Sequence, residues 1–210
     1  MTRNCDFMYI NMDTKSRRYE MRARKEATQA TRDSIMAAAL SVVAARRSLD
    51  VTLKAVAERA GVTVKTVLRH FGSREALIDA TWAMARADTV AERAVPPGEP
   101  AQAIAALVEH YENRGAMVLG LLAEEHEEPR ARLMCDDGRL LHREWVAQVF
   151  DAGLPTESPV RDRMIDALVV STDVYCWKLL RLDRGLTVED VCDRMQFMTG
   201  AVLTALQRTE

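Results

Sequence analysis

TLKAVAERAGVTVKTVLRHF, residues 52–71, is the stretch that decides the fold. Its spacing predicts a helix of about two turns, a break at Ala60-Gly61-Val62, and a second short helix opened by Thr63. Gly61 lacks the Cβ that penalises a left-handed backbone, so it suits a helix end. Thr63 can accept from the free N–H groups that open the next helix. Two short helices joined through a Gly-containing turn make a helix-turn-helix, whose second helix fits a DNA major groove.

Working outward, the pattern stays helical. Ile35, Met36, Ala39, Leu40 and Val43 recur at helical spacing and predict a first helix over 26–46. Thr52 is placed to cap the second helix, 52–59, and the third covers 63–69. Ser73 then caps a long fourth helix that ends near 95, before Pro96-Pro97-Gly98. A fifth helix over 101–125, bent at Gly115, a short piece after Pro129 and a helix over 139–152 follow. Ser158-Pro159 starts a helix toward Gly185 with apolar Met164, Ile165, Leu168, Thr172, Tyr175, Cys176 and Leu179 on one face. Thr187 to Asp190 resembles a capping box, and Val191, Met195, Met198, Val202, Leu203 and Leu206 continue a stripe to 207. With no strand pattern and no repeat, the expected fold is all-α. An N-terminal three-helix bundle with the helix-turn-helix (26–72) precedes a larger helical domain (73–210). Residues 1–25 read as a disordered extension, with Met12 and Met21 as alternative starts.

The totals agree. Aromatic residues make up 5% of the 210 and hydrophobic ones 48%, enough for a core and weighted toward helix. The net charge of −2 conceals an asymmetry: residues 1–75 carry about +7 and the remainder about −9. A basic front suits phosphates. Cys5, Cys135, Cys176 and Cys192 are scattered without metal spacing, which fits free thiols in a reducing cytoplasm and predicts neither cofactor nor metal. The apolar run 35–45 is too short to span a membrane, and the first twenty residues hold no secretory core. No Gly-rich phosphate loop, H-E-x-x-H or G-x-S-x-G motif marks an enzyme. A helical interaction module that does not read DNA sequence is the other alternative to a DNA-binding regulator.

The segments VAERAGV (56–62) and RHFGSREALI (69–78) resemble the tetracycline-repressor (TetR-like) family of bacterial transcriptional regulators, with the match running from Thr31 to about Trp82. The resemblance implies a DNA-binding domain followed by a helical ligand-binding and dimerisation domain, and repression relieved by a small molecule. It places Thr63, Lys65, Thr66 and His70 at DNA, and Thr52 and Arg74 at phosphates, with Arg69 toward phosphate or solvent. Hydroxyls, helix N-termini and long cations suit those roles. The chain departs from the family at Leu68, where tyrosine is usual, and at Val64, where a polar residue is usual. Periodicity alone would put Val64, Val67, Leu68 and Phe71 on one core stripe. The resemblance instead buries Val67 and Phe71 and turns Val64 and Leu68 toward the groove, where apolar chains can meet thymine methyls.

Half-site reading implies a homodimer on a (pseudo)palindromic double-stranded operator, through the helices near 159–183 and 187–207. The competing reading buries both stripes inside one subunit. A small apolar or amphipathic effector would sit among Trp82, His110, Met117, Leu121, Trp145 and Tyr175, residues that equally suit a core. His110 and His142 read as polar residues at a helix surface, and Glu124 to Glu128 as a solvated acidic turn rather than a metal site.

Overall fold

The computed structural model describes residues 6–96, 98–156 and 158–205. Every element among them is helical: α1 (Asp6–Arg46), α2 (Leu53–Ala60), α3 (Val64–Phe71), α4 (Arg74–Glu92), α5 (Pro100–Glu124), α6 (Pro129–Val149), α7 (Ser158–Thr172), α8 (Val174–Lys178) and α9 (Val188–Thr204). A 3-10 turn, Asp151–Gly153, follows α6, and a π-helical turn, Leu179–Asp183, continues α8. The chain divides into two compact units, one of residues 1–41 and 52–81, the other of 42–51 and 82–210. No helix among the described residues is long and apolar enough to cross a membrane.

The first unit is organised by the stretch quoted above. Thr52 caps α2, its Oγ accepting from Ala55 N at 3.2 Å. Gly61 adopts φ 67°, and the N–H groups of Gly61 and Val62 close the α2 end onto Glu58 O and Ala57 O. Thr63 caps α3 by accepting from Thr66 N at 3.1 Å. Ile35, Val56, Val67, Phe71, Leu77 and Ile78 are buried, so α1 to α4 each contribute apolar side chains to this core.

In the second unit, α5 is packed by α6, α8 and α9, and α7 lies against α6 and α9. Ile104, Leu107, Val108, Val146, Leu168, Val191 and Met195 are fully enclosed at its centre. Gly115 does not break α5; a Cβ there would lie 2.6 Å from the Trp177 ring, so the small residue admits the indole. Gly120 faces the Arg47 carbonyl in the same way, at 2.2 Å from a hypothetical Cβ.

Several expected boundaries move. The extension expected to be disordered is helical from Asp6, because Met, Arg, Lys, Glu and Ala favour helix without any core signal. Arg22 pairs with Glu26 at 2.8 Å and Gln29 bonds Asp33 one turn apart, which supports that helix locally. Residues 1–5 lie outside the described residues. The short piece after Pro129 and the helix over 139–152 are one helix, α6, with Pro129 at its start and Glu128 capping Arg130 N. Conversely, the helix expected from 159 to 183 is broken at Asp173. Its backbone is extended there (ψ 155°), and its carboxylate caps α8 by accepting from Tyr175 N at 2.8 Å. The last helix ends at Thr204, and Leu206 lies outside the described residues.

Candidate nucleic-acid interface and cavity

The face of α3 opposite its core is built from the residue pattern directly. Val67 and Phe71 are buried, whereas Val64 and Leu68 are 37% and 39% exposed. The single core stripe that periodicity allows is therefore not formed; α3 is only eight residues long, and its neighbours cover one narrow side. Thr63, Lys65 and Arg69 are exposed with them, and Thr66 and His70 are half-buried. Thr63 Oγ lies 3.0 Å from Thr66 Oγ, so one hydroxyl pair sits at the positive end of the helix. Arg74 is half-buried, opens α4 and lies 3.8 Å from the Glu75 carboxylate. Ser73 caps α4 by accepting from Ala76 N.

Two positioning residues were not evident from spacing. Arg32 on α1 donates to the His70 carbonyl at 2.8 Å, and its guanidinium lies 4.2 Å from the Phe71 ring centre. It thus holds the C-terminal turn of α3, where a cation also meets the negative end of the helix. Arg59 donates to Ser41 Oγ at 2.6 Å, tying α2 to α1. Both are arginines on polar faces, which a sequence pattern cannot separate from solvated ones.

The second unit contains a cavity of about 170 Å³ lined by residues of α4 to α8. Trp82, His110, Leu121 and Tyr175, four of the six residues expected there, line it. Met117 is buried and lies outside that lining. Trp145 instead lines a larger space of about 480 Å³ that shares Arg86, Thr89, Arg93 and Leu141 with the first. His110 and His142, expected at a helix surface, are buried, because the α5 and α6 faces that carry them turn inward.

The charges around this cavity are mostly matched. Arg86 pairs with Asp137 at 3.0 Å, Arg139 with Glu125 at 2.6 Å, and Arg114 with Glu92 at 2.5 Å. The Arg114 bond holds the Glu92 carboxyl below the usual carboxylate range, so Glu92 is ionised and accepts from His110 Nδ1 at 2.7 Å. Burial, then the Arg93 charge, lowers His110 to about 4 and His142 to about 3, leaving both neutral near pH 7. Thr172 donates its hydroxyl to the Leu168 carbonyl at 2.7 Å. It therefore accepts from His142 Nε2, 3.0 Å away, and His142 Nδ1 carries a lone pair. That Nδ1 is buried without a partner. Burial raises the Cys135 thiol at the cavity wall to about 11, so it is not a reactive thiolate.

Arg93 is the exception among the cations. It is 9% exposed, its Nε has no hydrogen-bond partner, and its guanidinium lies 5.4 Å from the Tyr111 ring centre. Such a ring contact returns about 0.5–2 kcal/mol, while an interior charge costs several. Desolvation accordingly depresses the Arg93 pKa. The acidic run beside α5 is also more engaged than a solvated turn: Glu124 accepts from Leu49 N, Glu125 pairs with Arg139 and Glu128 caps α6.

Residues 35–81 match the family model described as bacterial regulatory proteins, tetR family. The fold is similar to the crystal structure of a transcriptional regulator from Rhodococcus sp. Rha1, at a TM-score of 0.61 and 16% identity over 82% of this chain and 96% of that one. No curated protein matches the sequence. The matched segment spans the C-terminal part of α1, the helix-turn-helix and the first turns of α4, and over these residues the chain is similar to the tetR family of bacterial regulatory proteins.

Proposed function

We propose that the chain is a ligand-relieved repressor that binds a (pseudo)palindromic operator as a homodimer, with α3 in the major groove of each half-site. The observation that carries this reading is the outward face of α3, where Val64, Lys65, Leu68 and Arg69 are exposed while Val67 and Phe71 anchor the helix. Lys65 donates to guanine acceptors or phosphate, Val64 and Leu68 meet thymine methyls, and Thr52, Thr63, Thr66, His70 and Arg74 fix the register on the backbone. With leucine in place of a tyrosine hydroxyl at position 68, this readout is more apolar than the family's usual one. Chromosomal DNA as partner places the protein in the cytoplasm.

The test is a titration of the protein against the DNA upstream of its own gene, beside a scrambled duplex at fixed salt. The expected result is selective binding roughly 10³-fold or more tighter than to the scrambled duplex. Lys65→Ala is expected to weaken binding and reduce the salt slope by about one. Equal affinity for both duplexes, or an unchanged slope in the variant, overturns the assignment.

Relief by a ligand is supported by the cavity in the second unit. Arg86 and Thr89 of α4 line it, and the same helix begins at Arg74, two residues after α3. A ligand that favours one position of α4 shifts operator affinity only by its differential affinity for the two states.

A further inference from the structure

The cavity specifies its guest more narrowly than its apolar walls suggest. Buried polar groups in folded proteins are almost always satisfied, so each exception requires an explanation. Two exceptions, Arg93 Nε and His142 Nδ1, line the same 170 Å³ cavity, and both residues are more than nine-tenths buried. One is a cation whose Nε–H has no acceptor. The other, by the tautomer that Thr172 imposes, is an acceptor. Every other cation of the lining has its own carboxylate, and the remaining carboxylate, Asp173, is held by the α8 N-terminus through Tyr175 N. Arg93 makes no ion pair among the described residues: Glu92, Asp173 and the Tyr111 hydroxyl act on it, desolvation outweighs them, and its Nε is left without an acceptor. Size sets a second limit: about 150 Å³ suffices for a benzene-sized guest. The aromatic and aliphatic walls, with Trp82, Tyr111, Leu121 and Val174, suit a ring.

We infer that the cavity binds a single-ring carboxylate bearing a hydroxyl or amino group, its carboxylate on Arg93 and its O–H or N–H donating to His142 Nδ1. The inference rests on the effector reading above for its regulatory meaning, though not for the binding itself. Guanidinium is the cation suited to a carboxylate, since its fork makes two parallel hydrogen bonds. The larger neighbouring space is lined by neither histidine and adds nothing to this recognition.

The experiment is calorimetric titration of the full chain at neutral pH with 3-hydroxybenzoate, benzoate, benzyl alcohol and benzylamine. The carboxylates are expected to bind roughly tenfold or more tighter than the alcohol or the amine, and 3-hydroxybenzoate tighter than benzoate. Arg93→Met is expected to abolish that preference without lowering the melting temperature, because it removes a buried charge whose desolvation outweighs the pull of Glu92, Asp173 and the Tyr111 hydroxyl. Arg93→Lys, which keeps the charge but loses the fork, retains weakened carboxylate binding. His142→Phe is expected to keep benzoate binding and erase the advantage of the hydroxyl. The inference is overturned if the alcohol or amine binds as well as benzoate, if Arg93→Met keeps carboxylate affinity, or if none of the four binds at millimolar concentration. Repeating the operator titration with ligand separates the two readings. Carboxylate binding that leaves DNA affinity unchanged sinks the effector role while the ligand class stands. Release of DNA by the alcohol or the amine alone sinks the ligand class while an effector role stands.

Discussion

Neutral imidazole is the form in which His110 and His142 fit their surroundings, and stability carries the mark of it. Each is surrounded by apolar neighbours and by Arg93, with Glu92 and Arg114 also facing His110, and protonation in place is shifted to about 4 and about 3. In the unfolded chain both titrate near 6.5. Between those values the unfolded state holds more protons than the folded one, so stability is present above pH 6.5 and is lost as pH falls toward 4. Each histidine contributes a slope of up to about 1.4 kcal/mol per pH unit in that window. His142→Phe keeps the ring stacked on Trp145, now 5.6 Å away, and leaves Thr172 bonded to Leu168. Denaturant midpoints measured from pH 7 to 4 are expected to fall less steeply in this variant than in the parent. Parallel slopes would show that His142 does not titrate on unfolding.

Helices α5 and α6 place opposite demands on their glycines. Glycine inside a helix is less favourable than alanine by about 1 kcal/mol, so Gly→Ala stabilises wherever space allows. At Gly138 in α6 a Cβ meets nothing within 4 Å. At Gly120 in α5 it would meet the Arg47 carbonyl at 2.2 Å, a backbone atom that cannot rotate away, on a residue already at φ 54°. Gly138→Ala is expected to raise stability by about 1 kcal/mol, and Gly120→Ala to lower it by about 1–3 kcal/mol. Thermal melts of the two single variants, moving in opposite directions, check this; a rise in both would mean that the Arg47 segment yields freely. The contrast also marks what the sequence could disclose. Caps at Thr52, Thr63 and Thr187 and the turn at Gly61 are local, and they were legible. The break at Asp173 was not, because Met164 to Leu179 is apolar at helical spacing and the carboxylate that caps α8 looks like any surface charge. Arg93 stayed hidden for the same reason: burial of a cation near the end of a polar helix is decided by α5 and α6, far along the chain.

For the molecule as a whole, the two-fold operator proposed above calls for two copies of the chain. Much of the apolar stripes that suggested an interface, Met164, Ile165 and Leu168 on α7 and Val191 and Met195 on α9, is consumed by the chain's own core, while Tyr175 and Leu179 of the first stripe stay exposed. A dimer must therefore use what the same helices leave outside. Those faces are unusually apolar: Val170 on α7 is 70% exposed, Phe197 on α9 is 74% exposed, and Leu179 and Leu182 between them are 59% and 52% exposed. Single exposed apolar residues are ordinary, but several on neighbouring elements mark an association surface. The acidic body, about −9 beyond residue 75, does not by itself forbid pairing through such a patch, since charged groups are depleted at interface cores. Phe197→Glu is the sharpest probe, because in the isolated chain the residue touches little and the change is expected to alter folding stability by no more than about 0.5 kcal/mol. Sedimentation is expected to show a dimer for the parent and a monomer for Phe197→Glu, with loss of tight operator binding and retention of weak, salt-sensitive binding to any duplex. A variant that remains dimeric would move the interface away from α9, and a parent that is monomeric at micromolar concentration would remove the two-fold reading of the operator altogether.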